Sequence, residues 1–100
     1  LKQFSKKGNE VSFVTIGNAS TSEGHFWETV NAAGVLQVPL AINIWDDQYG
    51  ISVPAKYQTT KENLSDILIG FVTNENGKGY RLYTVKGWDY PALCETYLTA

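Results

Sequence analysis

The stretch VPLAINIWDD, residues 38–47, joins an almost unbroken apolar run to two carboxylates. Pro39 stands at the entry of the run, where a strand loses least by lacking one backbone donor. An apolar run of this length predicts a strand that is buried on both faces, as strands are in parallel sheets. Asp46 and Asp47 would then follow directly on the carboxyl end of that strand.

The segments on either side alternate between strand and helix patterns. Residues 10–16, EVSFVTI, are rich in β-forming side chains and predict a strand that ends at Gly17 and is buried on both faces near its end. Residues 22–37 and 59–71 place apolar side chains at helical spacing and predict two helices. Two pairs have the S/T-x-x-E spacing of a capping box and predict where these helices begin: Ser20 with Glu23, and Thr59 with Glu62.

The last third of the chain continues the alternation. Residues 80–85, YRLYTV, predict a third strand by their β-propensity. A final helix is expected to begin at Asp89 as N-cap, with Pro91 in its first turn. The order β-α-β-α-β-α predicts an α/β fold of three layers, α/β/α, around a mostly parallel sheet, in one domain that covers residues 1–100.

Composition excludes several classes of protein. A hydrophobic fraction of 43%, a charged fraction of 18% and a net charge of −2 fit a folded domain and argue against a nucleic-acid or membrane partner. The one cysteine, Cys94, has no metal-binding spacing around it and favours a reducing compartment, so we expect a cytoplasmic location. The chain begins LKQF and contains no Met, so we expect it to be part of a longer protein.

The ends of the first two strands are the candidate site. In a right-handed βαβ unit with neighbouring strands, residues 17–19 and 46–47 would meet at one sheet edge, where ligands of open α/β sheets bind. Small residues admit a ligand, and residues 20–22 lead into a helix N-terminus, which favours an anion. Oxygen donors without His or Cys suit magnesium or calcium. The pattern therefore predicts a metal-bound diphosphate, although the Walker lysine and the G-x-G-x-x-G fingerprint are both absent.

A purely structural interpretation of the same residues stays open at this point. Asn and Asp are common in turns and at helix caps, where their side chains bind nearby backbone groups. The pattern by itself leaves both interpretations standing.

A family resemblance adds to this pattern. Residues 17–54, GNASTSEGHFWETVNAAGVLQVPLAINIWDDQYGISVP, resemble the thiamine-diphosphate-binding motif of 2-oxoacid dehydrogenases in their decarboxylating component, most closely the branched-chain or acetoin type. That motif begins Gly-Asp-Gly and ends Asn-Asn. Residues 85–93, VKGWDYPAL, resemble the family's Val-Asp-Gly-x-Asp segment.

The resemblance implies roles for particular residues. The implied magnesium ligands are the side chains of Asn18 and Asp47 and the backbone carbonyl of Tyr49. The implied contacts to thiamine diphosphate come from residues that line the diphosphate or flank the cofactor: Gly17, Ala19, Ser20, Trp45 and Ile51.

The chain departs from the motif at both of its ends. The family's Asp is Asn18 here, and its Asn-Asn is Asp46-Asp47. The two ligand positions still supply one carboxylate and one amide oxygen. The hypothesis is that this exchange preserves the ligand charge and hence magnesium binding.

The resemblance also implies a function for the parent protein. In the family, a 2-oxo acid is decarboxylated and its acyl group passes to a lipoyl-bearing acyltransferase. The catalytic glutamate comes from a separate pyrimidine-binding domain or a β-type subunit, so no catalytic residue is expected in this chain, which should be inactive alone. A transketolase-like enzyme and a noncatalytic α/β scaffold with a decayed cofactor motif are the alternatives.

Overall fold

The computed structural model describes residues 7–100 as a mixture of helices and short strands. Strands and α-helices are numbered separately along the chain, and three short 3-10 turns stand between them. The strands are β1 Ser12–Gly17, β2 Leu40–Trp45, β3 Tyr49–Gly50 and β4 Val53–Pro54; the α-helices are α1 Gly24–Leu36, α2 Leu64–Leu68 and α3 Tyr90–Thr99; the 3-10 turns are Asn18–Ser22, Ala55–Tyr57 and Ile69–Phe71.

The strands form two small two-stranded sheets. β1 and β2 pair in parallel with a register that runs from Ser12 opposite Leu40 to Gly17 opposite Trp45, and α1 connects them. β3 and β4 form an antiparallel hairpin directly after β2. The parallel β-α-β unit predicted from the sequence is therefore confirmed.

The core lies between the helices and one face of the parallel sheet. Its buried side chains are Phe26 and Val30 of α1 with Leu64 and Leu68 of α2, and burying each contributes about 1.5–3 kcal/mol. The side chains packed around them are Ile16, Trp27, Ile42, Ile44, Phe71, Tyr80 and Leu82. Because successive strand residues point to opposite faces, Phe13 lies on the other face of the sheet. There its ring packs against the ring of Tyr97 in α3, with the two ring centroids 5.9 Å apart.

The structure corrects two predictions about the strands. β1 is not buried on both faces near its end, because Thr15 and Gly17 are exposed there. β2 is only half-buried along its length, and the side chain of Trp45 at its end is 70% exposed. Residues 81–86 have no regular structure, and Tyr80 makes an isolated bridge to Val72. Within this segment, the side chain of Leu82 packs against the helical core instead.

The predicted helices end close to their expected positions, but two of their starts differ. α1 begins at Gly24 with Glu23 as N-cap and no side-chain cap, because Ser20 lies inside the preceding 3-10 turn. α2 is cut to Leu64–Leu68 and is capped by Asn63, whose Oδ1 accepts from the Ser65 N–H at 3.0 Å. Both predicted capping boxes are therefore wrong.

The last helix begins as predicted. Asp89 is the N-cap of α3, and its Oδ1 accepts from the Ala92 N–H at 3.1 Å. Pro91 stands in the first turn, where a missing N–H costs least. In the part of the chain that the structure describes, none of the helices has the length and apolar character needed to cross a membrane.

Tyr80 carries a buried polar atom without a partner among the described residues. Its ring stacks on Phe71 with centroids 6.1 Å apart, and its hydroxyl makes no hydrogen bond there. Burial raises the pKa of Tyr80 from 10.0 to about 12, because the charged phenolate would lose its hydration.

This raised pKa predicts a pH-dependent stability. Above about pH 10 the unfolded chain releases the Tyr80 proton while the folded chain keeps it, so stability falls as pH rises towards 12. Tyr80→Phe is expected to remove the loss of stability that Tyr80 causes between pH 10 and pH 12. At pH 8 the free energy of unfolding of this variant should equal or exceed that of the unmodified chain. Urea unfolding of the chain at stepped pH measures it, and parallel curves for the two proteins would contradict it.

Candidate functional site

The register of the parallel sheet brings the two strand ends together. Gly17 lies opposite Trp45 as the last pair of β1 and β2. Asn18 and Asp46 therefore begin the two segments that leave the same sheet edge. This is the juxtaposition that the β-α-β pattern predicts, and it is the carboxyl edge at which α/β folds bind ligands.

The first strand end is a tight 3-10 turn with a buried asparagine. Asn18 is 8% exposed and Thr21 is 2% exposed. Thr21 Oγ1 donates a hydrogen bond to the backbone carbonyl of Asn18, which leaves the side-chain amide to other partners. A Cβ built on Gly17 would meet nothing within 4 Å, so the backbone is open to a ligand at this point.

The second strand end carries two exposed carboxylates in consecutive turns. Asp46 Oδ1 accepts from the Gln48 N–H at 2.8 Å, and Asp47 Oδ1 accepts from the Tyr49 N–H at 3.0 Å. Each bond fixes one carboxylate oxygen and leaves the other for a ligand. These bonds are the structural role that Asp commonly has in turns, and they are compatible with metal binding.

The backbone carbonyl of Tyr49 does not belong to the hairpin ladder. Tyr49 lies opposite Pro54, which has no N–H, and the Ala55 N–H donates to the Gln48 carbonyl at 2.8 Å. This pattern makes Tyr49 and Pro54 a non-hydrogen-bonded pair, in which the backbone groups point away from the partner strand. The Tyr49 N–H meets Asp47 on that outer side, where its carbonyl is also free to bind a cation.

The hairpin touches the first strand end at Gly50. A Cβ built there would come within 3.1 Å of the Ala19 Cβ and within 2.8 Å of Gln58 Oε1. The segment after β2 therefore lies against the turn after β1, with less than ordinary van der Waals space for a side chain at this position.

Two exposed apolar side chains stand on either side of the hairpin start. Trp45 ends β2, and Ile51 is fully exposed with a φ of 58°. A β-branched residue in this left-handed region is a genuine outlier and costs about 1–3 kcal/mol. Backbone strain of this kind clusters at ligand sites, which agrees with the position that the resemblance implies for Ile51.

The donor set fits a hard cation. Within residues 7–100, no three His, Cys, Asp or Glu side chains come together as a metal cluster. The implied set is one carboxylate, one amide oxygen and one backbone carbonyl: Asp47, Asn18 and Tyr49. Magnesium is commonly held by one or two carboxylates together with phosphate and water oxygens, so these residues fit it.

Two features of this edge were not predicted from the sequence. The first is the contact between Gly50 and Ala19, and the second is the burial of Thr21 within the 3-10 turn. The α1 N-terminus also lies further along the chain than expected, because the helix starts at Gly24. The glycine at position 50, shortly after β2, is the one signal that would have pointed to the close contact.

Comparison with known proteins identifies relatives of this chain. The family model described as "Dehydrogenase E1 component" matches residues 2–74. The 2-oxoisovalerate dehydrogenase subunit alpha of Bacillus subtilis is 38% identical over 66% of this chain and 20% of its own length. The pyruvate dehydrogenase E1 component subunit alpha of Acholeplasma laidlawii is 33% identical over 66% of this chain and 19% of its own. The 3-methyl-2-oxobutanoate dehydrogenase subunit alpha of Mycobacterium tuberculosis is 30% identical over 63% of this chain and 17% of its own.

The family match covers the candidate site but not the whole chain. The chain spans about a fifth of the length of these curated relatives. The family match ends at residue 74, so the resemblance of residues 85–93 stays a prediction. Both strand ends and the β3–β4 hairpin lie inside the matched residues. Because the family model matches well over half of the chain, the chain belongs to the dehydrogenase E1 component family.

Proposed function

We propose that this chain is the diphosphate- and magnesium-binding part of the decarboxylating component of a 2-oxoacid dehydrogenase. The observation that carries the proposal is the parallel pairing that ends with Gly17 opposite Trp45. It sets the two ends of the cofactor motif side by side, inside the residues that match the family.

Three residues would hold the magnesium ion in this proposal. Asp47 offers the carboxylate oxygen that does not accept from the Tyr49 N–H. Tyr49 offers a backbone carbonyl that lies outside the hairpin ladder. Asn18 offers a neutral amide oxygen from the buried turn. The carboxylate stands at the second strand end instead of the first, so the ligand set keeps one negative charge.

Other residues of the edge would bind thiamine diphosphate itself. The open backbone at Gly17, with Ala19 and Ser20 after it, would line the diphosphate, and Trp45 and Ile51 would flank the cofactor. Thiamine diphosphate, when bound, supplies the carbon nucleophile needed for decarboxylation of a 2-oxo acid. The chain's own contribution is to anchor the diphosphate and to balance its charge.

The rest of the machinery would come from outside these residues. A pyrimidine-binding domain or a β-type subunit would provide the catalytic glutamate, and a lipoyl-bearing acyltransferase would take the acyl group. A branched-chain 2-oxo acid is the proposed substrate, because two of the relatives named above are 2-oxoisovalerate and 3-methyl-2-oxobutanoate dehydrogenase subunits. A cytoplasmic location remains part of the proposal.

The three-layer α/β/α fold with a mostly parallel sheet, predicted for residues 1–100, remains part of the proposal. An open apolar groove of about 300 Å³ lies between α1 and the sheet, lined by Val14, Ile16, Phe26, Leu40 and Ile42 among others. Val11 and Phe13 are 60% and 58% exposed, and each sheet in the described part of the chain has two strands. Further strands and helices of the parent would extend the parallel sheet and cover these surfaces.

Carbon dioxide release tests the proposed function. The whole protein with its partner subunits, thiamine diphosphate and Mg²⁺ is expected to release carbon dioxide from 3-methyl-2-oxobutanoate. Residues 1–100 alone are expected to release none, because the activating glutamate is absent from them.

Two results would contradict the proposal. Single-turnover release by residues 1–100 alone would mean that the site is not divided between domains. A whole protein that neither releases carbon dioxide nor binds the cofactor would favour a noncatalytic scaffold instead.

A further inference from the structure

We infer that Ala19 and Gly50 form a matched pair that sets the spacing between the two halves of the cation site. The inference rests on the proposed function, because it concerns the residues that position Asn18 against Asp47 and Tyr49. It adds two positioning residues that do not themselves bind the ion.

The contact between the two residues leaves no spare space. A Cβ on Gly50 would lie 3.1 Å from the Ala19 Cβ, closer than the 3.4–4 Å of ordinary van der Waals contact. It would also lie 2.8 Å and 3.1 Å from the amide atoms of Gln58, which form the far end of a flexible side chain and are free to rotate away. Ala19 has no such freedom, because its methyl is fixed to the turn backbone.

Space, rather than backbone conformation, is what Gly50 provides. The described glycines with positive φ are Gly8, Gly77 and Gly79, and Gly50 is not among them. An alanine at position 50 therefore meets no backbone strain of the left-handed kind. The cost of that substitution comes from the contact with Ala19 and Gln58.

Gly50 has no side chain, and this is what leaves room for the Ala19 methyl between the turn after β1 and the β3–β4 hairpin.

Moving this contact would move the ligands. Ala19 follows Asn18 directly, and Gly50 follows Tyr49, whose N–H is bonded to Asp47. A group that pushes residue 50 away from residue 19 therefore separates the amide oxygen from the carboxylate and carbonyl oxygens. Magnesium tolerates such displacement poorly, because it requires nearly ideal octahedral geometry.

A double-variant cycle in the whole protein tests the pair. Binding of Mn²⁺ in the presence of thiamine diphosphate is measured by electron paramagnetic resonance, and melting temperature is measured beside it. Gly50→Ala is expected to weaken Mn²⁺ binding about tenfold, the low end of the loss seen when groups that orient metal ligands are changed. Adding Ala19→Gly to Gly50→Ala is expected to restore most of the affinity, since it removes the methyl that collides.

A glycine elsewhere in the chain provides the control for this experiment. Gly70→Ala serves as the matched control, because a Cβ there meets nothing within 4 Å, and it should leave Mn²⁺ affinity unchanged. Unchanged affinity in Gly50→Ala, or losses that add in the double variant, would overturn the inference alone. Should Gly50→Ala fail to fold, recovery of folded, Mn²⁺-binding protein by Ala19→Gly supports the pair, and no recovery overturns it. An unmodified protein that does not bind Mn²⁺ would overturn the proposed function, and the inference with it.

Discussion

Asp47→Asn is expected to weaken Mg²⁺ binding by the whole protein at least about a hundredfold, because even the loss of a group that only orients a metal ligand costs about 10- to 100-fold. The substitution keeps an oxygen that accepts from the Tyr49 N–H, so the turn is preserved while the charge is lost. With Asn18 already neutral, the ligand set would then carry no negative charge. Calorimetric titration of Mg²⁺ in the presence of thiamine diphosphate measures the change.

Asp46→Asn is the matched control for this experiment. Asp46 is likewise exposed, and its Oδ1 accepts from the Gln48 N–H in the same kind of turn bond, but it has no ligand role in the proposed site. Its substitution should leave Mg²⁺ affinity nearly unchanged. Nothing in the structure explains why a second carboxylate stands beside a diphosphate.

A charge-exchange variant separates relocation of the carboxylate from loss of the site. Asn18→Asp combined with Asp47→Asn returns the carboxylate to the first strand end and should recover most of the affinity that Asp47→Asn loses. Equal affinity in the unmodified protein and in Asp47→Asn would mean that Asp47 is not the charged ligand. Failure of the combined variant to recover affinity would mean that the two positions are not equivalent.

The sequence predicts those parts of the fold in which local pattern and tertiary packing agree. The apolar run at residues 40–45 and the β-rich residues 12–17 are extended in the structure and pair in parallel, as predicted. The Asp89 cap of α3 was also predictable, because the side chain and the N–H that it accepts from lie three residues apart.

Predictions failed where tertiary packing overrides a local pattern. Residues 80–85 have strand propensity, but Leu82 packs on the helical core and Thr84 Oγ1 lies 2.9 Å from Ser65 Oγ, so the segment is held by helix contacts. The Thr59–Glu62 pair has capping-box spacing, yet Glu62 takes a φ of 60° and Asn63 caps the helix. A rule based on residue spacing does not account for competition between neighbouring residues that could cap the same helix.

The candidate site likewise has features that the sequence predicts and features that depend on tertiary packing. That the ends of β1 and β2 lie side by side follows from strand order alone, so the edge was predictable. The free carbonyl of Tyr49 depends on Pro54 lying opposite it, and the tight contact of Gly50 with Ala19 depends on how the hairpin folds back. Neither feature follows from the sequence, because nothing in the spacing of these residues specifies a hairpin register.

The central claim is that two strand ends form one cofactor site that depends on a metal ion. The diphosphate is anionic, and the edge offers it small residues and a backbone that is open at Gly17, but no positively charged side chain is implied as a ligand. Its charge must therefore be balanced chiefly by the cation that Asn18, Asp47 and Tyr49 would hold. Removal of the cation should consequently remove the cofactor.

Calorimetric titration of the whole protein with thiamine diphosphate, in Mg²⁺ and again after chelation by EDTA, tests this claim most directly. The predicted result is saturable binding in Mg²⁺ that is lost in EDTA and returns when Mg²⁺ is added back. Binding of equal affinity in EDTA, or no binding under either condition, would contradict it.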